Sequence, residues 1–195
     1  MRRKAGVVAV VFVALFALSL LACAGGGGGG TTTFSLAVSG TPVSAKVYLN
    51  GQLVENPQRI TLPPGTHTIR VETTLSNGQV VAQEFTVVAG SVSSIQYDLN
   101  RYRVETNPAV IEVWAGDAIT VAASLRDMQT NAFVSADFVW SVRDTSKATV
   151  QKLTSNSARL TGVSRGATRL VITDARTGVT FEVPVSVLDF PPPPN

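Results

Sequence analysis

The sequence contains one cysteine, Cys23, and one histidine, His67. A single cysteine cannot form a disulfide within the chain, so the fold must rely on its apolar core. Nucleophilic catalysis needs a base beside the nucleophile, and the sole histidine lies in a run of alternating apolar residues. This position favours a half-buried core histidine over a catalytic one. We therefore predict no catalytic residue, no metal and no cofactor.

Charged residues are also scarce, at 15% of the chain. Three of the 16 basic residues are Arg2, Arg3 and Lys4, and no acidic residue occurs in the first 22 positions. Without these three, 13 basic residues balance 13 acidic ones, so the net charge of the remainder is zero. The pI of about 9.4 thus reflects the N-terminus, and we predict no nucleic-acid partner.

The N-terminus has the pattern of an export signal, because the basic residues precede 18 uncharged residues, Ala5 to Ala22. This stretch ends in Leu20-Leu21-Ala22-Cys23, which resembles the lipobox of bacterial lipoproteins. The resemblance implies a signal peptide over residues 1–22, cleavage between Ala22 and Cys23, and a lipid on Cys23 that attaches the chain to a membrane. An uncleaved membrane helix and an ordinary signal peptide with an incidental cysteine are the alternatives.

The resemblance also implies a location in the cell envelope. Ala24, rather than aspartate, follows the cysteine, which in that family favours the outer membrane when the cell has two membranes. Residues 23–33 comprise Cys23 and a Gly/Thr-rich segment without core-forming residues, which predicts a flexible tether.

Apolar residues alternate with polar ones from Phe34 onward, which predicts β-strands. Over residues 34–99 the turn markers are Asn50-Gly51, Pro63-Pro64-Gly65 and Asn77-Gly78. The runs from Pro42 to Gly51 and from Leu62 to Glu72 resemble the PEGA domain of bacterial surface proteins. That resemblance implies a non-enzymatic module.

A second block of alternating residues covers residues 101–189 and predicts an immunoglobulin-like sandwich without the disulfide. The runs Ala115-Gly116-Asp117, Trp140 to Val150 and Leu160 to Thr168 resemble the bacterial immunoglobulin-like domain, group 2. The predicted fold class is therefore all-β, with two small antiparallel sandwiches whose cores are separate. Residues 190–195 form a Pro-rich tail.

Two tryptophans receive different predictions. Trp140 is in register with Phe138 and Val142 and should lie in the core, whereas Trp114 should point outward because Ile111 and Val113 point inward. Trp114 is then either packed against the first block or the Gly116 turn, or part of a binding surface.

Acidic residues suggest calcium only weakly. Asp137, Asp144 and Asp174 fall near predicted loops but form no Asp-x-Asp run, and Asp144 fits a turn residue better.

Two functions remain open at this point. One is a structural spacer or display module of the envelope, and the other is an adhesin that binds a carbohydrate or protein, with an envelope protein or glycan as ligand. No enzyme is predicted.

The lipid anchor gives a direct prediction. Cys23→Ala should release the protein from the membrane fraction and abolish incorporation of a palmitate analogue, because two or three acyl chains make a durable anchor. Fractionation and labelling of cells that express each form measure both effects. Retention of the variant in the membrane, with no label in the wild type, contradicts the lipid assignment.

Overall fold

The computed structural model describes residues 32–189, and within them the chain forms sixteen β-strands and no helix. The all-β prediction is confirmed. The predicted signal peptide, Ala22, Cys23, most of the tether and the tail at 190–195 lie outside the described residues. No helix with the length and apolarity needed to cross a membrane occurs between residues 32 and 189.

The first block, residues 34–99, contains seven strands. They are β1 Phe34–Thr41, β2 Lys46–Leu49, β3 Gln52–Leu53, β4 Ile60–Leu62, β5 Thr66–Thr74, β6 Val80–Val88 and β7 Ser94–Asp98. One sheet has the order β4-β1-β7, and the other contains β6-β5-β2-β3.

The second block, residues 101–189, contains nine strands. They are β8 Tyr102–Asn107, β9 Ile111–Trp114, β10 Ala118–Asp127, β11 Ala132–Val134, β12 Phe138–Val142, β13 Ala148–Lys152, β14 Ser157–Gly162, β15 Gly166–Asp174 and β16 Val179–Leu188. One sheet has the order β11-β10-β14-β13, with β8 also paired to β10. The other contains β12-β15-β16, with β9 also paired to β16.

One sheet runs through both blocks. Strand β16 pairs with β6, so the order β12-β15-β16-β6-β5-β2-β3 is continuous from the second block into the first. Phe181 of β16 lies opposite Val81 of β6, and both side chains are fully buried. Directly opposed residues share a face, so both blocks bury the same side of this sheet.

The buried apolar side chains of the two blocks form one cluster, which includes Leu36 and Ile69 of the first block and Leu160 and Phe181 of the second. The predicted separation of the cores is therefore not found. Sequence alternation identifies which face of each strand is buried, but it contains no information on which strands are neighbours.

Two strand pairs are parallel, β1 with β7 and β9 with β16, whereas the sequence predicted antiparallel sandwiches throughout. The β1–β7 pair depends on a close approach at Gly40. A Cβ atom there would lie 2.0 Å from the Tyr97 carbonyl oxygen, so only glycine allows this pairing.

The predicted Asn50-Gly51 hairpin is confirmed. Both residues have positive φ, at 48° and 83°, which is the requirement of a type I′ turn. This turn joins β2 to β3 and fixes the register in which Tyr48 lies opposite Leu53.

Trp140 is a core residue, as predicted. It is 9% exposed and contacts Phe138 edge to face, with ring centroids 5.9 Å apart. Trp140→Ala should lower the free energy of unfolding by ~3–5 kcal/mol, as deletion of a large buried aromatic does. Because the blocks share a sheet and a core cluster, the lower melting temperature should apply to both at once.

Thermal unfolding followed by circular dichroism, combined with limited proteolysis, measures this effect. The control is Val139→Ala, since the adjacent Val139 is 57% exposed and its truncation should change the stability by less than about 0.5 kcal/mol. Proteolysis confined to residues 101–189 in Trp140→Ala would mean that the two blocks unfold independently.

Candidate functional site at the junction of the two blocks

The junction is a ladder between β6 and β16, in which Val80–Gln83 pair with Val179–Glu182. The ladder ends at Glu182, Pro184 follows two residues later, and β9 begins to pair with β16 at Val185. The Arg169 carbonyl, opposite Pro184, accepts a hydrogen bond from Arg143 on the β12 side at 3.0 Å. The backbone of Pro184 therefore faces away from β15, towards the gap between β6 and β9. Since proline has no N–H, this is where β16 can change partners.

The linker between the blocks is fixed by hydrogen bonds on both sides. The Leu99 N–H donates to the Thr41 carbonyl of the first block, and the Arg101 carbonyl accepts from the Met128 N–H of the second, each at 2.8 Å. Arg103 donates to the carbonyls of Leu99 and Tyr102 at 2.7 Å each. Few free rotations remain in a linker that is held in this way, so the blocks cannot swing about it while these bonds persist.

An ion network crosses the junction on the outer face of the shared sheet. Glu182 of β16 accepts hydrogen bonds on one carboxylate oxygen from Arg70 of the first block, at 2.7 Å, and from Arg143 of the second. Arg70 also binds Glu72 at 2.9 Å, and the Tyr48 hydroxyl donates to Glu72 at 3.0 Å. The network thus joins β2 and β5 of the first block to the second block.

Glu182 is the centre of this network and is only 5% exposed. Burial alone would raise the pKa of Glu182, but the guanidinium groups of Arg143 and Arg70 outweigh burial and lower it below its ordinary value. The carboxylate is therefore charged at neutral pH, and two arginines balance that charge. A buried carboxylate without such partners would be strongly destabilising.

The β5–β6 hairpin is held against the second block at its tip. Buried Gln79 donates from its side-chain amide to the Val104 carbonyl at 3.3 Å, and Arg169 donates to the Gly78 carbonyl at 2.9 Å. Each bond joins a group of one block to a group of the other. The junction is thus supported at the ladder, at the linker and at the hairpin tip.

A cleft of about 510 Å³ lies where β16 changes partners. Its apolar surface comes from residues such as Val104, Ile111 and Val183, and its polar groups include Asn77 and Glu105. This volume is in the range of small-molecule sites, which often occur between domains. Its lining contains no lysine, arginine, histidine or aromatic side chain.

Trp114 points outward, as predicted, and is 37% exposed. It lies beside the Gly116 turn, since the Asp117 N–H donates to the Trp114 carbonyl at 3.0 Å. Its register partner Leu188 is six residues beyond Glu182, about 20 Å along the strand. The packing of Trp114 against the first block stays a prediction. Its role in a binding surface stays a prediction.

His67 is buried and both ring nitrogens have partners. Nε2 lies 2.9 Å from the Pro63 carbonyl oxygen and must donate to it, and Nδ1 then accepts from the Asn50 side-chain amide at 3.1 Å. Asn50 in turn accepts from the Thr68 N–H at 2.9 Å. The histidine therefore links the Pro-Pro-Gly turn to the Asn50-Gly51 turn, which is a structural role.

The three aspartates considered for calcium each have a local structural partner. Asp144 accepts hydrogen bonds from the Ser146 hydroxyl group at 2.6 Å and from the Ser146 N–H at 2.9 Å. These two bonds lower the pKa of Asp144. Asp174 accepts from the Thr177 N–H at 3.1 Å, and Asp137 pairs with Lys152 at 2.7 Å. Between residues 32 and 189, no three His, Cys, Asp or Glu side chains come together as a metal site would require.

Sequence reasoning missed the Glu182 network and the cleft. One indication was available, because proline is rare inside a paired strand and Pro184 interrupts an apolar run. It marks a change of strand partner. The pairing of Glu182 with Arg70 could not be predicted from the sequence, since the two residues are 112 positions apart in the chain.

Glu182 gives a prediction with a defined pH dependence. Glu182→Gln should lower the free energy of unfolding by about 1–3 kcal/mol at pH 7, because Arg70 and Arg143 lose their shared anion, and the exposure of Arg143 limits the effect. A carboxyl group with a lowered pKa in the folded state stabilises the fold above its unfolded pKa, and this contribution is lost as the pH falls through the folded value. The difference should therefore shrink below about pH 4.

Urea unfolding at pH 7 and pH 3 measures this difference. The control is Glu55→Gln, an exposed carboxylate of the first block without an ion pair among residues 32–189, for which we expect less than about 0.5 kcal/mol at either pH. An equal loss for Glu182→Gln at both pH values would show that the charge of Glu182 does not contribute.

No family model matches the chain, and no curated protein matches it in sequence. Among solved structures it is similar to domains 1–6 of the surface layer protein SbsC, with 19% identity and a TM-score of 0.39 over 76% of this chain and 20% of that one. Domains 4 and 5 give 20% identity and a TM-score of 0.37, over 74% and 70%. Domains 4–9 give 19% and 0.40, over 80% and 24%. This chain thus spans about a fifth of the six-domain structure. These values assign the chain to no family.

Proposed function

We propose that the chain is a non-catalytic lipoprotein of the cell envelope whose two blocks act together as one rigid spacer or display module. The observation that carries the proposal is the β6–β16 ladder, which makes one sheet continuous through both blocks. A spacer must keep its length and direction under thermal motion. Two domains joined only by a flexible linker would not do so.

Three further features support rigidity. The linker is bonded to Thr41 on one side and Met128 on the other, the Arg70–Glu182 pair crosses the outer face, and the β5–β6 tip is held by Gln79. Together they oppose hinge motion in more than one direction.

Membrane attachment in the proposal depends on Cys23 and its lipid. The predicted tether between Cys23 and Phe34 would let the rigid module reorient above the membrane. In a cell with two membranes the proposed location is the outer membrane, and no nucleic-acid partner or cofactor is proposed.

A distance measurement tests the rigid module. Spin labels at Val43→Cys and Val163→Cys, one exposed position in each block, are placed in the full chain with Cys23→Ser. Double electron–electron resonance should give one narrow distance distribution, because the blocks share a sheet. The added change Glu182→Gln should broaden it. A broad or bimodal distribution in the parent chain contradicts the proposal.

A second candidate function is an adhesin or other surface lipoprotein that binds a carbohydrate or protein. The exposed ring of Trp114 favours it, since tryptophan is enriched at binding hot spots. Under this function, Trp114→Ala should weaken binding on a glycan and protein array by about 2 kcal/mol or more.

The matched control is Leu153→Ala, an exposed apolar residue elsewhere in the second block. A spacer without a ligand at Trp114 should give the same array result for the wild type, Trp114→Ala and Leu153→Ala. Selective loss of binding in Trp114→Ala would instead support the second candidate.

A further inference from the structure

Strand pairing is also interrupted at a sheet edge in the second block. On one edge of β10, β14 pairs with Ala118–Ala122 and β11 pairs with Leu125–Asp127, which leaves the edge between them open. The Ala123 N–H donates there to the Asn156 carbonyl at 2.8 Å. The chain then leaves β11 and enters β12 in the other sheet, where the Phe138 N–H donates to the Ser155 carbonyl at 2.8 Å.

These segments enclose a groove of about 220 Å³, which we call the serine groove. Its polar side chains are Ser124, Ser135, Ser155 and Asn156, and Phe133 forms an aromatic wall. No charged residue lines it. The three hydroxyl groups and the Asn156 amide nitrogen make no hydrogen bond within the described residues, so their hydrogen-bonding capacity is available to a ligand.

The exposed ring of Phe133 is held in position by a neighbouring arginine. Its side chain is 58% exposed, and the guanidinium of Arg126, its partner across β10 and β11, lies 4.4 Å from the ring centroid. Arg126 is itself held by Glu105 at 2.6 Å and by the Asn131 side chain at 3.0 Å. The Arg126 guanidinium thus stacks on the ring and bonds to Glu105 and Asn131. It therefore does not make the groove basic.

A flat aromatic surface beside neutral hydroxyl and amide groups is complementary to a sugar. The C–H face of a pyranose packs on an aromatic ring, while its hydroxyl groups exchange hydrogen bonds with side chains that both donate and accept. An anion would find no cation in the lining, and a largely apolar ligand would bury the serine hydroxyls without partners. The groove is smaller than the ~300–1,000 Å³ of drug-sized ligand sites, which limits the ligand to about one ring.

We propose that the serine groove binds one sugar unit of a neutral glycan, with the ring stacked on Phe133 and its hydroxyl groups bonded to Ser124, Ser135, Ser155 and Asn156. One sugar ring offers little contact area, so the affinity is about millimolar. Many copies on one surface would raise the effective affinity for a polymeric glycan. This inference does not rest on the spacer role, because it uses only residues of the β10–β11 end of the second block.

Saturation-transfer NMR on the full chain in zwitterionic detergent suits this affinity. The probes are the neutral trisaccharides cellotriose, maltotriose, mannotriose and tri-N-acetylchitotriose, with a sulfated heparin disaccharide as the charged comparison. We expect saturation transfer to at least one neutral trisaccharide, and Phe133→Ala should weaken its binding about tenfold or more. Phe133→Tyr keeps the ring and should retain binding.

Two further variants separate binding from folding. Asn156→Ala should weaken binding severalfold while the Phe133–Arg126 contact stays, and Val139→Ala, which is exposed to nearly the same extent as Phe133, should bind like the wild type. Circular dichroism establishes that each variant folds. The proposal is overturned if no neutral trisaccharide binds, if only the sulfated sugar binds, or if Phe133→Ala binds as well as the wild type.

Discussion

Four residue pairs between β6 and β16 determine the architecture of this protein. Without them the two blocks would be neighbouring sandwiches on a short linker, and with them one sheet extends through both. Strand pairing is a demanding form of contact, because it fixes spacing, direction and register at the same time. The burial of Phe181 opposite Val81 adds an apolar contact directly on the ladder.

The other junction contacts depend on this ladder. Glu182 can share its oxygen between Arg70 and Arg143 only because β5 and β12 lie on opposite sides of β16 at that level. A charged group at such a buried position is costly unless its partners are held in place, and the sheet holds them. The interruption at Pro184 likewise produces the cleft, since the pairing of β16 with β6 stops at Glu182 and its pairing with β9 starts only at Val185.

Local features of the fold could be read from the sequence, whereas long-range features could not. Alternation identified the buried faces of β1, β5 and β16, and Asn50-Gly51 predicted its turn, because both depend on neighbouring residues. The parallel β1–β7 pair and the β6–β16 ladder join distant segments. Phe133 of β11 and Asn156 of the loop between β13 and β14 line one groove, and no spacing rule relates them. The outward position of Trp114 was predictable, but its distance from the junction was not.

Native-state hydrogen exchange of the β6–β16 amides tests the central claim most directly. If the ladder joins the blocks into one cooperative unit, these amides should exchange only through global unfolding, with the same free energy as the slowest amides of β5 and β15. Exchange through a local opening of much lower free energy, while the β5–β6 and β15–β16 ladders stay protected, would mean that the two blocks separate in the native state and that the shared sheet does not make them rigid.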